Sequence, residues 1–94
     1  MPRERNALQR LYHAADLADE PIPGLPLIEL AGDQRVLIEK HQGVTEYGTE
    51  RTVVKVKFGQ VCVCGRNLEL SRMTKGQLVI SGSIESVHLL RGRR

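Results

Sequence analysis

A seven-residue phrase that occurs twice limits what this chain can fold into more than any other feature. Gly59-Gln60-Val61-Cys62-Val63-Cys64-Gly65 returns 17 positions later as Gly76-Gln77-Leu78-Val79-Ile80-Ser81-Gly82. Each copy sets apolar residues at every second position between two glycines. Alternation of period two gives an extended strand one face to bury and one to leave polar. A glycine at each end supplies the positive φ of tight turns. The expectation is a run of short strands with structural turn glycines at Gly32, Gly59, Gly76 and Gly82.

The same pattern holds from Leu27 onward. Ile28 and Leu30 alternate around Glu29, and Gly32-Asp33 reads as a two-residue hairpin. Val36 and Ile38 then share one face, with Leu37 on the other. His41-Gln42-Gly43 is a break, and Val44 to Tyr47 is another short strand. Thr52, Val54, Val56 and Phe58 line one face opposite Val53, Lys55 and Lys57. Gly59-Gln60 has the form of a type II′ turn. Gly65-Arg66-Asn67 reads as a second break and Gly82-Ser83 as a turn. Ile84 and Val87 are three apart, which predicts a bulge between them. The sum is a mostly β fold, a compact antiparallel meander, roll or sandwich of about eight short strands. A short β-solenoid is the alternative that the 17-residue echo suggests, although two copies are fewer than such stacks need.

The first residues differ in period. Leu8, Leu11, Ala15 and Ala18 fall on one stripe, which predicts an N-terminal helix within residues 1–20. Pro21, Pro23 and Pro26 end it and make residues 21–26 a stiff connector. Residues 27–90 form the single β domain, and 91–94 are a basic tail.

Charge narrows the partners. The 14 Lys and Arg less the three of Arg91, Arg93 and Arg94 balance the 11 Asp and Glu, so the body is neutral. A nucleic-acid binder carries its charge on a folded face, and the few aromatics (Tyr12, Tyr47 and Phe58) offer little stacking platform. No nucleic-acid partner is expected, and the Arg tail reads as solvated or membrane-proximal, with nucleic-acid binding through Arg91, Arg93 and Arg94 the least favoured alternative. With no bilayer-length apolar run and no signal-peptide pattern, the expected location is cytoplasmic. The two cysteines fit a reducing compartment.

Chemistry-bearing residues do not assemble into a set. Cys62 and Cys64, at i and i+2, share a strand face but lack the further ligands of a zinc site, and His13, His41 and His88 are scattered. Glu39 and His41 would share a face on an extended backbone, yet no nucleophile accompanies them. Bracing of the turn into Gly43 is the simpler role for His41. The glycines lie between strands, not at the strand-to-helix junction of a phosphate loop. The expectation is no enzyme, no catalytic residue, no metal and no cofactor.

Three ordered blocks carry a family likeness. Ile38-Glu39-Lys40-His41-Gln42-Gly43-Val44 with Glu46-Tyr47 resembles the I-E-N-H-x-G-(V/I)-x-x-(Y/F) phrase of the YabP/YqfC sporulation proteins. Gly59-x-Val61-x-Val63-x-Gly65-x-Asn67-Leu68-x-Leu70 and Leu78-Val79-Ile80-Ser81-Gly82-x-Ile84-x-x-Val87 resemble its later blocks. Lys40 stands where the family more often has Asn, and the cysteines replace its usual strand residues. The helix and proline lead-in resemble the YqfC branch. The resemblance singles out Glu39, His41, Gly43, Tyr47, Gly65 and Asn67 as motif or interaction residues. It implies a non-catalytic protein made in the mother cell of endospore-forming Firmicutes, placed in the cytoplasm or peripheral to the membrane around the forespore. The implied partner is a YqfD-like membrane protein, since YqfC-type proteins lie beside one. A structural or self-assembling role in the spore coat, with homo-oligomers formed through edge strands, is the alternative.

Overall fold

The computed structural model describes residues 24–92. The expected N-terminal helix, the first half of the proline connector (residues 21–23), and Arg93 and Arg94 lie outside the described residues. The described chain forms six strands: β1 (Leu27–Ala31), β2 (Arg35–Glu39), β3 (Val44–Tyr47), β4 (Arg51–Val56), β5 (Gly59–Met73) and β6 (Gln77–Arg91). All pairings are antiparallel in one open sheet of order β1-β2-β6-β5-β4-β3. A solenoid would stack its strands in parallel, so that alternative falls.

Six strands replace the expected eight because two glycine breaks are not turns. Gly65-Arg66-Asn67 lies inside the 15-residue β5, and Gly82-Ser83 inside the 15-residue β6. Straight strands of that length would run about 50 Å, too long to close over a small core. They are irregular where the glycines fall. The register shifts between Cys64 and Gly65, between Arg66 and Glu69, and between Leu70 and Arg72. The first shift leaves Glu85 as the extra residue on β6, since Cys64 pairs with Ser86 and Gly65 with Ile84. This is the bulge expected between Ile84 and Val87. Bulges bend a strand and increase its local twist.

The bend turns one end of the β5–β6 hairpin towards the other. β2 pairs with residues 77–81 at one end, and β4 with residues 59–64 at the other. Yet Val36, Ile38, Leu78 and Ile80 from the first end share one buried cluster with Val54, Val56, Val61 and Val63 from the second, with Leu68 between. The core therefore lies inside the fold of the sheet. The link from β2 to β3 is only residues 40–43. Gln42 N–H donates to the Lys55 carbonyl at 2.7 Å and Lys55 N–H to the Gly43 carbonyl at 2.8 Å, which ties that link to β4.

The turns sit slightly off their expected places. Val56 pairs with Gly59, so the β4–β5 turn is Lys57-Phe58 and not Gly59-Gln60. Gly59 is the first residue of β5, where a Cβ would run into the backbone of Leu90 to Gly92. The β1–β2 loop is Gly32-Asp33-Gln34, three residues instead of two, closed by Gln34 N–H donating to the Ala31 carbonyl. Gly76 does lie in a turn, between β5 and β6.

Candidate functional site

The block from Ile38 to Gly43 holds the β5–β6 loop in place. Ile38 is fully buried and anchors the block in the core. Glu39 pairs with Gln77 across β2 and β6, and its Oε2 accepts from Gln77 Nε2 at 3.0 Å. Lys40 N–H donates to the Gly76 carbonyl at 2.6 Å. The His41 Nε2 lies 2.9 Å from the Thr74 carbonyl, and Gly43 N–H donates to His41 Nδ1 at 3.0 Å. A carbonyl can only accept and Nδ1 is already accepting, so the ring carries its proton on Nε2. One neutral imidazole thereby braces its own turn and grips a loop 33 residues away.

Glu39 and His41 do not pair with each other. Lys40 has φ 63°, so the backbone between them is left-handed, not extended, and the two side chains part. Among non-glycine residues, asparagine is one of the best suited to that region. This gives a physical reason for asparagine at the matching position of the resembled phrase. Lys40→Asn is expected to stabilise the fold by about 0.5 kcal/mol through relief of backbone strain, read as a higher midpoint in urea. Gly43 has φ 114° and needs glycine for the same reason.

The remaining motif residues gather at the bend. Gly65 N–H donates to the Glu50 carbonyl at 3.0 Å, and Leu68 N–H to the Thr49 carbonyl at 2.8 Å. These bonds tie the β3–β4 loop to the irregular part of β5. Asn67 sits between them with φ 54°, a left-handed residue opposite Gly82. Tyr47, on the outermost strand, is 56% exposed, and its hydroxyl accepts from Leu70 N–H at 3.4 Å. Thr49, Glu50, Thr74 and Gln77 complete these clamps and were not singled out from the sequence. Three of them act through backbone carbonyls, which leave no side-chain signature.

The cysteines share a face with Val53 and His88, as the register pairs Cys62 with both. Their sulfurs lie 3.7 Å apart and both are free. Val53 and Cys62 are buried although they face away from the core, so the sheet is covered on both sides here. Burial, and after it the Cys64 thiol, push the Cys62 thiol above its ordinary range. The folded chain therefore holds that proton to higher pH than the unfolded chain does. Stability contributed this way is present below the ordinary thiol pKa and declines as pH rises through and above it. Cys62→Ala is expected to flatten that decline in urea midpoints measured across the alkaline range. Among the described residues, no three or more His, Cys, Asp or Glu side chains are arranged to hold a metal ion.

Comparison with known proteins places the chain. No curated protein and no solved structure matches it. The YabP family matches residues 26–94, the whole β domain with its clamps and its bend. The likeness of the three blocks and this match agree, and the chain belongs to the YabP family, a sporulation-associated group.

Proposed function

We propose that this sporulation protein is a non-catalytic interaction module whose β domain docks on a membrane partner of the YqfD type from the mother-cell cytoplasm. The observation that carries this reading is the run of exposed leucines at the start of the sheet. Leu25, Leu27 and Leu30 are 36%, 47% and 57% exposed on and just before the edge strand β1. Large apolar side chains left exposed on both faces of an open sheet edge favour a contact surface over a catalytic one. The motif residues give further support, because Glu39, His41, Gly43, Gly65 and Asn67 are occupied in shaping the fold. No helix among the described residues is long and apolar enough to cross a membrane.

Co-fractionation tests the reading. The full chain, expressed with the neighbouring membrane protein, is expected in the membrane fraction, and without it in the soluble fraction. Equal distribution in the two cases would sink the proposal. The second reading, a self-assembling spore-envelope protein, draws on the presence of two edges, β1 and β3, at the ends of one sheet. Sedimentation across a wide concentration range separates the two, since assembly predicts steady growth in size.

A further inference from the structure

The core rows of the sheet run out at β1. Ile28 continues the row of Ile38 and Leu78, and Leu30 that of Val36 and Ile80. Those four residues are fully buried, whereas Leu30, in line with two of them, is 57% exposed. Among the described residues the strand also lacks protection. It pairs with β2 over five residues in unbroken register, with no lysine, proline or bulge. The opposite edge is blunted. β3 has four residues, a register shift between Val44 and Glu46, and an exposed Glu46–Arg51 ion pair at 3.4 Å.

The outer face of β1 adds a charge preference. Arg35 lies directly opposite Ala31, so only a methyl group separates its strand position from the open edge. Arg35 and Arg72 line one shallow trough with Glu29, Leu37, Gln77 and Val79. Among the described residues, neither arginine has a carboxylate partner within ion-pair distance. A second copy of β1 is a poor occupant. Antiparallel pairing of the two five-residue strands end to end sets Glu29 against Glu29, and like charges directly opposite are destabilising.

We propose that β1 receives an extended segment of a partner protein as a seventh strand, with apolar side chains opposite Ile28 and Leu30 and a carboxylate opposite Ala31. This rests on the interaction-module reading and names the segment that the module recognises. Main-chain bonds to the open edge supply affinity, and the covered leucine and the Arg35 guanidinium supply selection.

The probe is a blocked seven-residue peptide of valine alternating with threonine, with glutamate at its central polar position, beside a twin with glutamine there. Added to the full chain, the glutamate peptide is expected to slow hydrogen exchange in β1 and to bind about fivefold tighter than its twin, the upper end for one exposed ion pair. Arg35→Glu is expected to remove that preference, and Leu30→Lys to weaken both peptides about tenfold. Leu30 and Arg35 are exposed, so both variants keep the core. Unchanged exchange in β1, or a preference that survives Arg35→Glu, overturns the proposal. So does protection of β1 by rising concentrations of the chain alone, which identifies a second copy as the occupant. If Leu30→Lys co-fractionates with the membrane protein as well as the parent chain does, the edge proposal fails and the module reading stands. If the parent chain binds the peptide but ignores the membrane protein, the partner reading fails and the edge proposal stands.

Discussion

Gly65→Ala is expected to cost about 3–5 kcal/mol, the range of severe overpacking and backbone displacement, while Gly76→Ala costs less than about 0.5 kcal/mol. The two glycines come from the two copies of the repeated phrase, yet their surroundings differ. A Cβ on Gly65 would fall on the Ser83 carbonyl oxygen, and the nearest atoms behind it are also backbone, of Ser83 and Ile84. Backbone within a hydrogen-bonded ladder cannot step aside as a flexible side chain can. Relief would require β5 and β6 to separate at the bend, where the Glu50 carbonyl also receives the Gly65 amide. Gly82, across the hairpin, is constrained in the same way. It has φ 142°, and its Cβ would meet the Asn67 carbonyl oxygen at 2.6 Å. Gly76 has no heavy atom within 4 Å of its Cβ position and no left-handed φ, so alanine fits and trims the freedom of the unfolded chain. Small domains are stable by about 5–15 kcal/mol in total, so Gly65→Ala removes a large share. Urea denaturation of the two variants beside the parent chain checks this. Equal midpoints for the two would mean that both glycines serve as ordinary turn residues and that the bend does not depend on Gly65.

That contrast also locates what the sequence could and could not reveal. Alternation identified the core-facing positions of β2 and β4, because one face of each strand must enter the core whatever the topology; it missed Val53, which is buried on the opposite face. The same alternation paired Val61 with Val63 and set the cysteines on the other face. The error lay in the glycines. A glycine that ends a strand and a glycine that lets two strands cross closely look identical in one dimension, and only the partner strand distinguishes them. In one dimension Gly65 and Gly82 therefore read as ends, whereas in the fold they are bends inside β5 and β6, and the expected strand count is too high. Ile84 and Val87 gave the bulge away because their spacing breaks the period within one strand. The Glu39 and His41 pairing failed for a related reason: a single left-handed residue, Lys40, reverses the face on which the next side chain falls. The open edge at β1 could not be foreseen, since edge position is a property of strand order and β6 rather than β3 lies beside β2.

His41→Ala is expected to cost about 2 kcal/mol, the sum of two lost hydrogen bonds in a partly shielded site. The ring is held at both nitrogens, with Gly43 N–H given to Nδ1 and the Thr74 carbonyl reached by Nε2. Alanine would leave the Gly43 amide and the Thr74 carbonyl to find water. The loss should be local as well as global. Hydrogen exchange is expected to quicken at Gly43 and across residues 74–77, while the amides of β4 change little beyond the global loss. Gln in place of His41 can reach only one of the two groups and should recover about half the loss. A histidine kept for catalysis or for a metal would behave differently, because its removal would leave urea midpoints in metal-free buffer unmoved. His41 carries the most chemical capacity of any residue in the motif, and the bonds it makes are between two loops of its own chain. The stability of the Ala and Gln variants therefore decides whether this histidine serves the fold or a ligand.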